Sequence, residues 1–355
     1  MKAISAPFKK GVNFTNWMEF KSPEEINENY FTKQDFENVL KLGCDVVRIP
    51  MHFEKFCCED NGFLIPDKIW SILDRLESWA EELHLYLIFD FHNATAIGTS
   101  TSADVEKILT AVWKQIGIHF ANKSSYLVYE LMNEPHGIDV EIWNGIIKRV
   151  FDSLRQYDQK HFVIVGGADW NSFSAMKTLP DFNDDKVIYN FHFYDPHTFT
   201  HQGSSWCNME RVIGIPFPYD QKKMPSIPAD ATDYEREKFE NYPAQGTVDK
   251  MMEFFDQYVE FSVQRNAPVY CGEFGCFAIY ADPIERVNWY KMVADALEER
   301  NIARTSWDYY GPFGIFDFKK IMDVPPQERR NFTWKFPQDL NVEIVKALGL
   351  IVPVM

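Results

Sequence analysis

The sequence contains few of the residues that mark several protein classes. Of its 355 residues, six are cysteine, 17 glycine and 19 proline. Six cysteines are too few for a disulfide scaffold at this length, so we expect reduced thiols. Because 46% of the residues are apolar, the low glycine and proline content excludes a low-complexity or disordered chain. We expect a chain with a large hydrophobic core.

Positive charge and long apolar runs are also scarce. The 36 basic and 52 acidic side chains give a formal charge of −16, which argues against a nucleic-acid or membrane partner. No apolar run reaches the roughly 18 to 20 residues that span a bilayer, and residues 1–7 lack the apolar core of a secretory signal. We expect a cytoplasmic monomer, or a secreted protein if a native signal is missing from this sequence.

Apolar segments alternate with segments of helical periodicity. Strands are predicted at 11–14, 45–50, 85–92, 126–133, 161–166, 187–194, 267–273 and 303–308. Helices are predicted at 33–42, 69–83, 103–121, 140–157, 248–265 and 283–299. This α/β alternation predicts a (β/α)8 TIM barrel. A doubly wound open sheet is the alternative, but it would be expected to show a G-x-G-x-x-G turn, and the sequence has none at a strand-to-helix junction.

One connection is much longer than the others. The predicted sixth and seventh strands begin 80 residues apart. We therefore expect a single catalytic domain over 1–355, with an inserted subdomain at 196–247 between strand six and its helix, lining the cleft. Charged residues at 233–239 predict a short helix within it.

Polar side chains follow most of the predicted strands. In barrels of this kind the chemistry lies at the carboxyl ends of the strands. Ionisable groups are costly there unless they pair or serve a ligand. The candidates are Arg48, His92, Asn93, Asn133, Glu134, His192, Tyr194, Glu273 and Trp307.

Two of these candidates are glutamates on strands that lie across the barrel from each other. Glu134 and Glu273 can therefore flank one bond, and a carboxyl pair about 5 to 5.5 Å apart suits cleavage of an acetal by double displacement. Asn133 could bond a sugar 2-hydroxyl, while Arg48 and Tyr194 could each hold one carboxylate ionised. His92 and His192 could donate to the substrate or to the glutamates.

Together these residues resemble the signature of glycoside hydrolase family 5, the cellulase family. The resemblance extends from 11–14 to 307–309, and the family pattern of Arg, His, Asn, Glu, His, Tyr, Glu and Trp is present in order. It implies that Glu134 is the general acid/base and Glu273 the nucleophile. Residues 193–202 and Trp206 also resemble the clostridial endoglucanase C type, whose segment after strand six walls the cleft, so His197 and His201 are expected there.

Aromatic residues are abundant, at 16% of the chain with ten tryptophans, and flat rings suit stacking on sugars. Trp307, Trp206, Trp17 and Trp170 are candidate platforms, and Asn93 and His136 are candidate outer contacts. No H-x-H or H-E-x-x-H motif occurs, so we expect no metal ion and no other cofactor.

These observations predict a retaining endo-β-glucanase that hydrolyses β-1,4 or mixed-linkage β-1,3-1,4 glucans. The alternatives on the same scaffold are an exo-β-1,3-glucanase or β-glucosidase, a mannanase and a xyloglucanase. A more distant alternative is an oligosaccharide-binding protein without catalysis.

Overall fold

The computed structural model describes residues 1–19, 22–92, 100–329 and 332–354. Eight parallel strands close into a barrel in which each strand pairs with the next and the last pairs with the first. The strands are β1 (Lys10–Asn13), β2 (Val46–Met51), β3 (Tyr86–Phe91), β4 (Leu127–Glu130), β5 (Phe162–Gly166), β6 (Val187–Phe193), β7 (Val269–Phe274) and β8 (Ala303–Ser306). The predicted TIM barrel is confirmed.

Helices surround this barrel. They are α1 (Lys33–Lys41), α2 (Phe53–Phe56), α3 (Asp67–Leu83), α4 (Val105–Phe120), α5 (Val140–Arg155), α6 (Ala168–Asn171), α7 (Phe173–Met176), α8 (His197–Thr200), α9 (Asp233–Gln245), α10 (Val248–Arg265), α11 (Pro283–Glu299), α12 (Lys319–Met322) and α13 (Val342–Ala347). Among the described residues, none of them is both long and apolar enough to cross a membrane.

The predicted helices form because their apolar residues recur on one face. In α5, Trp143, Ile147, Val150 and Leu154 are buried, while the Asp139 side chain caps the free N–H groups of the first turn. The bounds predicted for α10 and α11 agree with the structure. After β5 the chain forms only short turns, and α6 contains left-handed residues instead of a regular helix.

The barrel interior changes from apolar to ionic along the strands. Its lower end is filled by buried apolar residues, which include Phe8, Val46, Ile88, Val128, Ile164, Ile188 and Tyr270. Side chains alternate between the two faces of a strand, so the same interior face presents Arg48, Asp90, Glu130 and Asn190 two residues farther on. The polar layer therefore lies at the carboxyl ends of the strands.

The segment between β6 and α10 carries α8, a 3₁₀ turn at Ser205–Cys207 and α9. The helix predicted at 233–239 extends farther, to Gln245, and its Thr232 side chain forms a capping box with Glu235. His201, Trp206 and Lys238 from this segment line the cleft above the barrel. The long connection thus supplies one wall of the cleft.

Candidate active site

A single arginine lies at the centre of the ionic layer. The fully buried Arg48 guanidinium donates to both carboxylate oxygens of Glu130. Its Nε lies 2.7 Å from Oε2, and its Nη2 lies 2.9 Å from Oε1. Its Nη2 also lies 3.0 Å from Asp90 Oδ2, and Nη1 donates to Glu273 Oε1 at 2.9 Å. Because one cation cannot neutralise three buried carboxylates, burial outweighs its attraction and raises the pKa of Asp90 to about 7 and also that of Glu130.

Glu273, on β7, is held by two donors. Arg48 Nη1 donates to Oε1, and the Tyr194 hydroxyl donates to Oε2 at 2.9 Å. The bond from the Arg48 guanidinium is charge-assisted, and bonds of this kind are strong. The sequence predicts that Arg48 and Tyr194 each bond one carboxylate, and in the structure both bond Glu273.

Glu134, just beyond β4, has different surroundings. Its φ of 39° lies in the left-handed region, which is costly for a residue with a side chain and is tolerated where the surroundings impose it. Its Oε1 atom lies 2.5 Å from Nδ1 of His192. Gly272 N–H donates to Asn190 Oδ1, so Asn190 Nδ2 is the donor that faces His192 Nε2 at 3.3 Å. His192 therefore carries its proton on Nδ1 and donates it to Glu134.

The same reasoning assigns the proton of His92. Arg48 Nη2 donates to Asn133 Oδ1 at 2.7 Å, which turns Asn133 Nδ2 toward His92 Nε2 at 3.4 Å. His92 is therefore protonated on Nδ1, which donates to Asp90 Oδ2 at 2.7 Å. Burial lowers the pKa of His92 to about 3 even though Glu273 opposes this shift, so its ring is neutral.

The two glutamates meet over the barrel. One carboxylate oxygen of Glu134, one of Glu273 and a ring nitrogen of His192 all lie within 4.8 Å of one another. Burial raises the pKa of Glu134 to about 7 against the attraction of Arg48, and burial lowers the pKa of His192 to about 4. At neutral pH a large fraction of Glu134 is therefore protonated beside a neutral imidazole, whereas Glu273 accepts hydrogen bonds from Arg48 and Tyr194.

Donor atoms suited to a cation come together in three places among the described residues. One is the trio of Glu134, His192 and Glu273, and the other two are Glu19 with His52 and His92, and His197 with His201 and Cys207. The expectation that no metal ion is needed stays a prediction.

A cleft of about 1470 Å³ opens above the glutamate pair. Trp307 is half-buried and stacks on the ring of His92, with 5.8 Å between ring centroids. Trp206 and Trp170 are 39% and 51% exposed and line the cleft farther out. Exposed rings at a cleft are able to stack on the C–H faces of sugars.

Residues 7–311 match the cellulase family, glycosyl hydrolase family 5. The chain belongs to this family. It is 27% identical over 342 residues to Endoglucanase 3 of Fibrobacter succinogenes, covering 88% of this chain and 51% of the relative. It is also 27% identical over 314 residues to Endoglucanase C of Acetivibrio thermocellus, covering 85% of this chain and 91% of the relative. The chain thus spans about half the length of the Fibrobacter protein.

The fold of this family 5 chain is also that of a solved relative. Endoglucanase Cel5A from Thermotoga maritima superposes with a TM-score of 0.75 at 23% identity, over 96% of each chain. The family match and the two endoglucanase relatives confirm the predicted family and the predicted glycoside hydrolase class.

The structure corrects two of the proposed sugar contacts. Trp17 is not a stacking platform, because its side chain is fully buried and its Nε1 donates to Asn27 O at 2.9 Å. His136 is only 7% exposed and lies beneath Trp170, with 4.7 Å between the ring centroids, so it supports that ring and does not line the cleft. Asn93 lies outside the described residues.

Some residues of the site are not marked as functional by the sequence pattern. Glu130 binds Arg48, and Asn190 orients His192, but the sequence predicts only apolar strands at these two positions. The sequence signal for Glu130 is its ionisable side chain at the end of the otherwise apolar run Leu127–Glu130. Glu19 lines the cleft from an irregular loop, and burial raises its pKa to about 8. No periodic pattern marks such a loop.

Replacing Arg48 with methionine tests whether its cation supports the barrel interior. We expect the free energy of unfolding to fall by about 3 to 5 kcal/mol, because buried carboxylates lose their counter-ion. Denaturant unfolding followed by circular dichroism measures this change.

Arg149→Met is the matched control, because Arg149 pairs with Glu106 on the surface. It should change stability by about 1 kcal/mol or less. Equal effects of the two substitutions would contradict the central role of Arg48.

Proposed function

We propose that this chain is a retaining endo-β-glucanase that acts on β-1,4 glucans, mixed-linkage β-1,3-1,4 glucans, or both. The observation that carries the proposal is the approach of Glu134 and Glu273 oxygens to within 4.8 Å, in contrasting surroundings. Retaining enzymes place their carboxyl groups about 5 to 5.5 Å apart, whereas inverting enzymes need about 6.5 to 9.5 Å to admit a water. The endoglucanase names of the relatives support the substrate class.

In the first step, protonated Glu134 gives its proton to the glycosidic oxygen as the bond to the anomeric carbon breaks. Since Glu134 Oε1 accepts from His192, the transferable proton lies on Oε2. Glu273 attacks the anomeric carbon and forms a glycosyl ester. Water then attacks this ester, Glu134 takes up the proton, and the sugar leaves with its original configuration.

Asn133 is placed to assist both steps. Arg48 and His92 fix the orientation of its amide, and Nδ2 has a second N–H for a substrate hydroxyl. A bond from this amide to the sugar 2-hydroxyl would strengthen as positive charge develops at the anomeric carbon. Asn133 would then stabilise the transition state more than the ground state.

The size of the cleft supports action on a chain of sugars. Its volume of about 1470 Å³ exceeds the roughly 300 to 1000 Å³ typical of small-molecule pockets. Trp170 and Trp206 extend the aromatic surface beyond the glutamates. A cleft of this size accommodates several sugar units, which favours cleavage within a chain.

The roles of the two glutamates are separable by mutation. Glu273→Ala should lower kcat at least about 10⁴-fold, and azide should restore turnover with a glycosyl azide of inverted configuration, because azide replaces the missing nucleophile. Glu134→Ala should lower kcat on barley glucan by about 10² to 10⁴-fold but spare aryl glycosides whose leaving groups need no proton. Steady-state rates and NMR of the products provide the measurement.

Glu253→Ala, on an exposed face of α10, is the control and should keep wild-type rates. Full activity of both active-site variants on barley glucan would refute the assignment.

The raised pKa of Glu134 predicts a pH dependence. Since the acid must be protonated to act, kcat/KM on β-glucan should fall as pH rises through about 7, approaching about tenfold per unit above it. An aryl glycoside with a good leaving group should show a weaker decline over the same range. A rate on β-glucan that is flat between pH 7 and 9 would exclude Glu134 as the acid.

The products formed early in the reaction test the endo mode. Lichenan and barley glucan should yield mixed oligosaccharides first, because an extended cleft binds the chain at internal positions. Chromatography of early time points measures this distribution. Glucose as the sole early product would indicate an exo enzyme, and preferential cleavage of mannan would replace the substrate assignment.

A further inference from the structure

One side chain, that of His136, joins the aromatic ring of Trp170 to the backbone of Glu134. The His136 ring lies beneath the Trp170 ring with 4.7 Å between the centroids and 9° between the planes. Its Nδ1 lies 2.8 Å from the carbonyl oxygen of Glu134. Because a carbonyl oxygen only accepts, Nδ1 carries a proton and donates it to Glu134. None of the proposed hydrolysis steps involves His136.

The backbone at Glu134 needs a restraint of this kind. Its φ of 39° lies in the left-handed region, and Pro135 follows it directly. A residue before proline favours an extended backbone with negative φ, so this conformation of Glu134 is unfavourable by itself. The carbonyl that accepts from His136 belongs to the peptide unit after Glu134, and the bond resists rotation of that unit. His136 therefore helps to fix the direction in which the Glu134 side chain leaves the backbone.

The position of His136 is itself fixed. Only 7% of the residue is exposed, and Thr101 binds its backbone at both polar groups. Thr101 N donates to His136 O at 2.8 Å, and His136 N donates to Thr101 Oγ1 at 3.1 Å. A buried ring on a backbone held at both groups is able to support other residues.

The backbone of Trp170 is tied to the same segment. Its N–H donates to Pro135 O at 3.1 Å, and residues 169–171 all have a positive φ, between 53° and 59°. Consecutive left-handed residues with side chains are costly and persist only where their surroundings impose them. Trp170 is nevertheless 51% exposed and lines the cleft. One face of its ring thus rests on His136, while the residue stays open to a ligand.

Trp170 lies on the side of the cleft that holds the proposed acid. It follows β5, which neighbours the strand that leads to Glu134, whereas Trp307 follows β8 on the opposite side of the barrel from β4. The acid of a retaining glycosidase protonates the oxygen of the departing sugar. Trp170 is therefore placed to stack on the sugar that leaves.

We propose that His136 is a positioning residue that couples binding of the leaving sugar at Trp170 to proton transfer from Glu134. This inference rests on the proposed function of the chain. A sugar stacked on Trp170 restrains the two rings, and the N–H of the lower ring holds Glu134 toward the glycosidic oxygen. Binding free energy from a sugar beside the broken bond is thereby used at the reacting oxygen.

The variant His136→Phe keeps a ring beneath Trp170 but has no donor for Glu134 O. Its kcat/KM on barley glucan should fall at least about tenfold, since general acid catalysis contributes about 10² to 10⁴-fold. Its kcat/KM on an aryl cellobioside with a good leaving group should change less than about twofold, because that leaving group needs no proton. A merely structural defect would lower both rates equally.

The variant His136→Asn keeps an N–H near the position of Nδ1 but removes the ring. It should keep kcat on barley glucan and raise KM about three- to tenfold, because Trp170 loses a stacked partner. Trp170→Ala should raise KM to a similar extent. Initial rates over a range of substrate concentrations give these constants, and circular dichroism checks that each variant folds.

His119→Phe is the matched control, because His119 also stacks on a tryptophan, Trp70, with 4.4 Å between the centroids. That pair joins α3 to α4 outside the barrel, so the variant should keep wild-type rates. Equal losses of His136→Phe on both substrates, wild-type kcat/KM on both, or an unchanged KM in His136→Asn would overturn the role of His136. Failure of the wild type to hydrolyse any β-glucan would instead refute the proposed function and this inference together.

Discussion

The ion pairs of Arg48 are the interaction on which the rest of the site depends. Burying the Arg48 guanidinium and the carboxylates around it costs desolvation free energy. The attraction between these opposite charges offsets part of that cost. The planar guanidinium contacts Glu130, Asp90, Glu273 and Asn133 at once, which links β2, β3, β4 and β7. The same cation therefore joins neighbouring strands of the barrel to the position of Glu273.

Hydrogen bonds around this cation give the two glutamates different surroundings. Asn190 and Asn133 each have one end of the amide fixed, and each thereby sets the proton of a neighbouring histidine. His192 and His92 consequently stay neutral and donate to carboxyl groups. Two glutamates on one barrel thus experience opposite environments, because one accepts charged and phenolic donors while the other is buried beside a neutral ring.

The barrel strands hold the site residues in fixed positions, and the long connection after β6 forms one wall of the cleft. Strand ends hold the reacting groups within a closed hydrogen-bonded sheet, whose geometry tolerates little displacement. The connection places His201, Trp206 and Lys238 on one wall of the cleft. The connection therefore shapes the cleft beyond the strand ends, while the candidate catalytic residues lie on the barrel.

Local patterns in the sequence are enough to predict the fold and the candidate catalytic residues. Continuous apolar strands and amphipathic helices are local patterns, and Glu134 and Glu273 stand directly where those patterns end. It could not assign Trp17 to the core or find Glu19, because the burial of a loop residue depends on distant segments. Contacts in the folded structure place both Arg48 and Tyr194 on Glu273. They also fix which ring nitrogen of His92 and His192 carries the proton. These features arise from contacts between strands far apart in the chain, whose distances and directions no local pattern encodes.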